Sequence, residues 1–302
     1  ALGAATAAYG HFIELNNFQL RTESLPVLPA GSPDFRILHI SDMHMIPGQQ
    51  KKIDFMHSLA ALEPDLVMNT GDNLSHVDGM GPLLEALDPL MDFPGVFVPG
   101  SNCYFAPVFK NPARYLWQPR TPQMIEEGSR VALPIERMHE AFESRGWTGL
   151  VNRYDTLKLN GLRLEFSGVD DPHLRYDKHP GFAPGAFDEG DEPSVRIGVA
   201  HAPYMRTLHR FVQDGAQAIF AGHTHGGQVC LPGGRALVSN CDLPASRAKG
   251  VSEQSGVPVQ VSAGLGTSRF APVRLFCPPE AVLVTLTARD AGKPASTAGG
   301  RR

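Results

Sequence analysis

The sequence has few cysteines and little charge. Its 302 residues include 4 cysteines, none in a CxxC pair, which excludes a zinc ribbon and argues against a dense disulfide scaffold. Buried free thiols are the favoured interpretation, and one bridge between Cys230 and Cys241, across a hairpin, is the alternative if the domain is exported. Charged residues make up 19% of the chain, and the net charge is -4 without a basic stripe, so duplex nucleic acid is not an expected partner.

Apolar residues, glycine and proline are plentiful. Hydrophobic residues make up 42% of the chain, which is typical of a soluble globular protein and not of a disordered one. The length fits one large α/β domain or two small ones. The 31 glycines and 26 prolines indicate many tight turns and a loop-rich surface.

The two ends of the chain differ from the rest in composition. Residues 1–34 are expected to form an extended lead-in, and "ALGAATAAYG" at its start resembles the end of a signal or anchor segment. A plain disordered terminus is the alternative. A membrane-associated or exported protein is favoured slightly over a cytoplasmic one, with membrane proximity arising through N-terminal residues that precede this sequence. Residues 289–302 have the composition of a disordered tail.

Strands and helices alternate in the first half of the sequence. Short apolar runs that end in polar residues predict three buried strands, "FRILHI", "PDLVMNTGDN" and "GVFVPGSNCY", with helices near 49–62 and 80–91 between them. This pattern predicts a sheet whose loops carry chemistry at the carboxyl ends of its strands. Residues 105–150, rich in proline and arginine with one helix near 134–146, are interpreted as an insertion or cap.

The second half is rich in short strands. They are predicted at "DTLKLN", "LRLEFSGV", "VRIGVAH", "AIFAGH", "QVCL", "ALVS", "PVQVSAG" and "AVLVTLT", with one helix near 203–213.

Seven residues with metal-binding side chains follow the predicted strand ends. They are Asp42, His44, Asp72, Asn102, His201, His223 and His225. Loops at neighbouring strand ends converge in space, and carboxylate, amide oxygen and imidazole together suit ions such as Mn²⁺, Fe²⁺ or Zn²⁺. Seven ligands are too many for one ion. With one acid shared, they provide two divalent sites of about four protein ligands each, as in two-metal hydrolases.

The ordered motifs "SDMH", "TGDN", "SNCY", "AHAP" and "GHTHGG" resemble the calcineurin-like metallophosphoesterase family. "GHTHGGQV" and "GVDDPH" are most similar to its bacterial branch, which acts on small or lipid-linked phosphoesters. The resemblance extends over residues 35–288 and implies an α/β fold, a four-layer α/β/β/α sandwich with two central mixed β-sheets. It also implies one metal on Asp42, His44 and His225, a second on Asn102, His201 and His223, and Asp72 as the bridge.

The implied activity is hydrolysis of a phosphoester. A hydroxide bridging the two ions would attack phosphorus in line, while both ions neutralise charge on the phosphoryl oxygens. A phosphodiester or lipid-linked phosphoester is the preferred substrate, and a phosphomonoester or nucleotide is the alternative. A non-catalytic interaction scaffold on the same fold is an alternative of another class. The presence of all seven ligand types argues against it.

One motif departs from the family. Where the family has Gly-Asn-His, whose histidine assists the leaving group, this chain has Ser101, Asn102 and Cys103. A thiol of pKa about 8.5 is a poorer proton donor than imidazolium at neutral pH, so slower hydrolysis of esters with basic leaving groups is expected. His173 in "DDPHLRY" is the candidate replacement acid, and an ordinary loop histidine is the alternative. Cys103 as a nucleophile would need a nearby base that the sequence does not show.

Substrate contacts are predicted from residue type alone. Lys110, Arg114 and Tyr115 in "KNPARYL" and Arg269 in "GTSRF" are candidates for binding a phosphate or polar headgroup, with solvated surface charge as the alternative. Five apolar residues near the motifs are candidates for an acyl-chain contact, with ordinary packing as the alternative: Met45, Ile46, Phe105, Leu116 and Trp117.

Overall fold

Two six-stranded sheets form the centre of the structure. The computed structural model describes residues 2–108, 130–183 and 193–289. The first sheet contains β1 (Gln19–Leu28), β2 (Phe35–Ile40), β3 (Leu66–Asn69), β4 (Gly95–Phe97), β5 (Thr148–Gly149) and β14 (Glu280–Ala288), in the order β1-β14-β2-β3-β4-β5. Strands β2 to β5 run parallel, and β14 is antiparallel to β2. The first sheet is therefore mixed.

The second sheet is also mixed. It contains β6 (Arg153–Leu159), β7 (Leu162–Gly168), β8 (Ser194–Val199), β9 (Ala218–Ala221), β12 (Gly250–Gln254) and β13 (Val257–Val261), in the order β12-β13-β9-β8-β7-β6. Its outer strands β6 and β12 are antiparallel to their neighbours, and the inner four are parallel. A two-stranded ribbon, β10 (Cys230–Leu231) with β11 (Arg235–Ala236), comes between β9 and β12 in the sequence.

Six α-helices accompany the sheets in the described residues. They are α1 (Leu2–Phe12), α2 (Gln50–Ser58), α3 (Met80–Leu87), α4 (Ser101–Tyr104), α5 (Ile135–Ser144) and α6 (Met205–Gln213). Apolar side chains of α2, α3 and α5 pack on one face of the first sheet, and α6 packs on one face of the second. The predicted four-layer α/β/β/α sandwich is confirmed.

The main core lies between the two sheets. Alternate residues of the parallel strands point to opposite faces, so Ile37 of β2 packs toward the second sheet while Leu38 packs under the helices. Both faces of the strand are covered, which is why "FRILHI" is apolar almost throughout. Each fully buried side chain of this kind stabilises the fold by about 1.5–3 kcal/mol.

The N-terminal segment is more than the extended lead-in expected for residues 1–34. It begins with α1, and β1 then pairs in parallel with β14 over the length of the strand. The sequence signal for β1 is weak because this edge strand exposes many of its side chains and contains Pro26. None of the helices in the described ranges is long and apolar enough to cross a membrane.

The segment 105–150, expected as an insertion or cap, contributes to the main fold at its C-terminal end. Met138 and Phe142 of α5 are buried in the layer under the first sheet, and β5 pairs with β4. The four cysteines are the buried free thiols favoured by the sequence, and the alternative of a bridge is wrong. Cys230 and Cys241 are free buried thiols, so no bridge joins them.

Candidate metal centre

The seven predicted ligands lie in five loops at the carboxyl ends of parallel strands. Asp42 and His44 follow β2, Asp72 follows β3, and Asn102 lies in α4 after β4. His201 follows β8, and the histidines of "GHTH" follow β9. The short helix α4 was not predicted from the sequence. Because strands from both sheets end at the same side of the sandwich, all five loops meet there.

Five of these seven residues have left-handed backbone conformation. The φ angles are 49° for Asp42, 46° for His44, 52° for Asp72, 69° for His223 and 51° for His225. This conformation costs a non-glycine residue roughly 1–2 kcal/mol. It turns the chain sharply where each strand ends, which directs the ligand side chains into one shared space.

Glycines allow the loops to approach each other. A Cβ atom at Gly100 would lie 2.7 Å from the ring of His201, and one at Gly222 would collide with Ser41 and the Asp42 carboxylate. Real Cβ atoms do not come so close to neighbouring heavy atoms. The glycines before Asn102 and before His223 are therefore required by the packing of the site.

The side chains form two clusters. In the first cluster, Asp42, His44 and His225, the Nε2 atoms of the two histidines are 3.3 Å apart, and His225 Nε2 lies 3.6 Å from Asp42 Oδ1. In the second cluster, Asp72, His201 and His223, His201 Nε2 lies 3.4 Å from Asp72 Oδ2 and 3.2 Å from His223 Nδ1. His223 and His225 thus reach different clusters, as two residues of one turn.

Asp72 connects the two clusters. Its Oδ2 atom lies 3.6 Å from His44 Nε2 of the first cluster as well as 3.4 Å from His201 Nε2. Asn102 contacts the same carboxylate, because its side-chain Nδ2 donates to Oδ2 at 2.8 Å and its backbone N–H donates to Oδ1 at 2.7 Å. Rotation of the amide by half a turn exchanges its oxygen and nitrogen, so the Asn102 oxygen can also face the second cluster.

Backbone carbonyls fix the protonation of three histidines. His201 Nδ1 donates to Thr70 O at 2.7 Å, His225 Nδ1 donates to Gly266 O at 3.1 Å, and His223 Nε2 lies 3.3 Å from Asn240 O. A carbonyl accepts only, so a neutral ring has its lone pair on the other nitrogen, which faces a cluster. His44 Nδ1 is paired with the Ser75 hydroxyl at 2.8 Å.

The clusters fit divalent cations for two physical reasons. Asp42 Oδ1 is buried without a hydrogen-bond partner in the described structure, although buried carboxylate oxygens are normally satisfied. The imidazole nitrogens of each cluster also approach within 3.3 Å, where two lone pairs repel unless a proton or cation lies between them. A metal ion at each cluster would satisfy both features.

The electrostatics differ between the two clusters, because burial keeps the imidazoles of the first cluster neutral while carboxylates favour a charged His201 in the second. Burial lowers the pKa of His44 and of His225 to about 3, with Arg274 adding to the effect at His225. Burial acts in the same direction on His201, but the carboxylates of Asp72 and Asp42 outweigh it and raise the pKa to about 10. Burial opposes ionisation of Asp72, yet His201 holds its pKa well below the usual value. The second cluster therefore attracts positive charge strongly.

Cys103 does not fit the role expected for it. The side chain is fully buried and packs in the hydrophobic layer under the first sheet. Burial, with a smaller contribution from Asp72, raises the pKa of the thiol to about 12. A buried thiol of this kind neither protonates a leaving group nor attacks a substrate at neutral pH.

His173 lies at the site. Its ring packs against that of His223, with centroids 4.7 Å apart, and its Nδ1 atom is 3.0 Å from the Tyr204 hydroxyl. It lines a cavity of about 410 Å³ together with residues of both clusters. Of the two residues considered as leaving-group acids, only His173 reaches this cavity.

The predicted substrate contacts are dispersed. Arg269 is exposed and lines a second cleft of about 640 Å³ with Lys51, Lys52 and Ile46, which His44 also borders. Phe105 lines the first cavity, whereas Met45 is buried under the first sheet. The other five candidates lie outside the described residues: Lys110, Arg114, Tyr115, Leu116 and Trp117.

Several residues that shape the site have no signal in the sequence. Arg130 lines the first cavity, with its guanidinium 5.3 Å from the centre of the Phe105 ring. Arg274 is fully buried and donates to the carbonyls of Ala263, Gly264 and Gly266 at 2.7, 3.0 and 2.7 Å. It thereby holds the loop whose Gly266 carbonyl orients His225.

The comparisons with known proteins agree with this geometry. A model of the calcineurin-like phosphoesterase family matches residues 35–227, and the chain belongs to this family. It is therefore a phosphoester hydrolase with a dinuclear metal centre, for which Mn, Fe and Zn are all compatible ions.

Relatives cover most of the chain. Two are from Bacillus subtilis (strain 168): the uncharacterized protein YpbG is 26% identical over 279 residues, covering 88% of this chain and 87% of its own. The uncharacterized metallophosphoesterase YkuE is 23% identical over 316 residues, covering 95% and 93%. Among solved structures, a dimetal phosphatase from Danio rerio is 10% identical and covers 86% of this chain and 94% of its own, with a TM-score of 0.44.

Proposed function

We propose that this protein hydrolyses phosphodiesters, lipid-linked ones included, at the two clusters described above. Asp42, His44 and His225 would hold one divalent ion, and Asn102, His201 and His223 the other. Asp72 would bridge the pair. The observation that carries the proposal is the position of Asp72, whose Oδ2 atom lies 3.6 Å from an imidazole of the first cluster and 3.4 Å from one of the second.

The protein contributes position and charge to the reaction. When bound, the two ions would supply Lewis acidity that activates water and neutralises negative charge on the phosphoryl oxygens. The carbonyl-anchored histidines keep their lone pairs directed into the site and lose little freedom when ligands bind. The loops that carry these side chains would position the substrate relative to the ions, so the chain would mainly lower the entropic and electrostatic parts of the barrier.

His173 is the residue best placed to assist the leaving group. It lines the cavity beside His223, and its contact with the Tyr204 hydroxyl fixes the orientation of the ring. The family's usual acid is replaced by the buried Cys103, so a donor from another loop would restore this assistance. A phosphomonoesterase or nucleotidase is the alternative activity, and a non-catalytic scaffold is the alternative of another class.

Metal add-back to stripped protein tests the proposal. Mn²⁺ should restore hydrolysis of bis-p-nitrophenyl phosphate, with the diester preferred over p-nitrophenyl phosphate. Asp72→Asn should lower kcat/KM by at least about a hundredfold and weaken metal binding, because it removes charge from both sites. Asp78→Asn is the matched control, since Asp78 is an exposed carboxylate that belongs to neither cluster.

Each outcome has a distinct meaning. A preference for the monoester would replace the proposal by a phosphatase. Two bound ions without hydrolysis of either ester would favour the scaffold, and full activity of Asp72→Asn would refute the ligand assignment. The membrane proximity expected for the N-terminal residues stays a prediction. It is supported by the exposed Phe12 and Ile13 at the end of α1, and sedimentation with lipid vesicles tests it.

A further inference from the structure

The cavity above the two clusters combines a polar floor with apolar walls. Its volume is about 410 Å³, and its floor includes Asp72, Asn102 and His223. Several wall residues are large and apolar, among them Phe105, Val229, Leu237 and Phe270. If the organic group of a phosphoester bound against these walls, its phosphate would lie at the clusters.

The walls expose apolar surface to solvent. The exposed fractions are 39% for Val108, 41% for Val229, 52% for Leu237 and 41% for Phe270. Exposed apolar side chains are common when scattered singly, but a contiguous group that lines one concave surface marks a ligand site. Here four of them border the same cavity.

Two polar residues of the same walls, Gln228 and Asn240, are engaged within the protein. Gln228 Nε2 donates to Ala271 O at 2.8 Å, and Asn240 O lies 3.3 Å from His223 Nε2. Arg130 lies over the Phe105 ring and adds positive charge suited to a phosphoryl group. A base or sugar would need polar partners at these positions, whereas a hydrocarbon group would not.

The apolar walls are held by the loops that carry the ligands. Val229 follows the "GHTHGGQ" turn and forms a bridge with Leu275, and Leu275 N–H donates to Gln228 O at 3.0 Å. Phe270 belongs to the loop that begins at Gly266, whose carbonyl orients His225. Because wall and ligand share the same short segments, their relative position is set by the fold and the cavity is preformed.

We infer that the organic group of the substrate is a hydrocarbon, an alkyl or acyl chain or an aryl group, that binds in this cavity with the phosphoester at the clusters. The inference rests on the proposed function and narrows its substrate class. Burial of one methylene group contributes about a fourfold gain in affinity. An ester whose chain fills the cavity is therefore a much better substrate than a short one.

A chain-length series tests the inference. The kcat/KM of the Mn²⁺-loaded protein is measured on the methyl, butyl and octyl esters of p-nitrophenyl phosphate, each below its critical micelle concentration. If half of the added methylenes are buried, the octyl ester exceeds the methyl ester about a hundredfold. A 2-naphthyl ester distinguishes a planar aryl group from a flexible chain. Calorimetric binding of octyl phosphate against methyl phosphate provides a readout that does not depend on turnover.

Matched variants locate the effect. Phe270→Ala should lower the ratio of octyl to methyl ester by roughly fivefold to tenfold, and Leu237→Ser should act in the same direction. Phe276→Ala is the control, since Phe276 is exposed to a similar extent, 43%, but does not line the cavity. It should leave the ratio unchanged.

The two hypotheses fail in different ways. The first case is metal-dependent hydrolysis of the methyl ester with a kcat/KM for the octyl ester less than about threefold higher. This result overturns the hydrocarbon inference and leaves the proposed function intact. A high ratio that Phe270→Ala and Leu237→Ser do not change also overturns the inference, because the chain then binds elsewhere. Failure to hydrolyse any of the esters, with octyl phosphate bound no better than methyl phosphate, overturns both.

Discussion

Replacement of the buried Arg274 by methionine should destabilise the protein strongly. The guanidinium donates to five carbonyl oxygens. Two of them have a second donor: Glu280 N–H reaches Gly264 O, and His225 Nδ1 reaches Gly266 O. The carbonyls of the buried residues Ala263 and Cys277 would lose the donor they have. Each unsatisfied buried acceptor costs about 1–3 kcal/mol, so the free energy of unfolding should fall by about 2–6 kcal/mol.

Thermal unfolding of the metal-free protein measures this loss. At roughly 2–4 °C per kcal/mol for a domain of this size, a loss of about 2–6 kcal/mol should lower Tm by roughly 4–24 °C. Arg269→Met is the control because Arg269 is exposed, and its Tm should stay within about 2 °C of the wild type. An equally small change for Arg274→Met would refute the argument that this arginine holds the loop through the carbonyls.

Two further predictions follow from burial. Cys103→Ala should cost roughly 1 kcal/mol of stability and leave kcat within about twofold, because the thiol lies in the core; a large fall in kcat with Tm unchanged would contradict this. In metal-free protein, Tm should fall as pH decreases below about 6.5. The unfolded chain then takes up protons that folded His39, His44 and His225, each with a pKa of about 3, exclude. Burial raises the pKa of Asp171 to about 7 and also raises the pKa of Asp42, so these two carboxyls act in the opposite direction, but they are fewer than the three histidines. A Tm that rises would contradict the reasoning.

The clusters could be predicted from sequence because each ligand follows an apolar run. A buried parallel strand is apolar on both faces, so the first polar residues after "FRILHI" or "AIFA" mark the strand end. Strand β1 was missed because its side chains are largely exposed and polar. The same reasoning identified the candidate ligands without any information on which loops are neighbours.

The environment of each side chain could not be predicted in the same way. Cys103 follows Asn102 in sequence, yet the first turn of α4 directs it into the core while Asn102 contacts Asp72. The carbonyl groups of Thr70, Asn240 and Gly266, which orient the histidines, belong to the backbone and have no side-chain signature. Only the arrangement of the loops in space reveals them.

The left-handed conformation of five of the candidate ligand residues has an evolutionary consequence. At roughly 1 kcal/mol or more for each residue, the combined cost is comparable with the whole net stability of a typical domain. Glycine would adopt the same angles with less strain, so selection for folding alone would replace the acids and histidines. If these residues bind the metals as proposed, their presence at these angles trades stability for reactivity, and random drift after loss of function should change these five positions first.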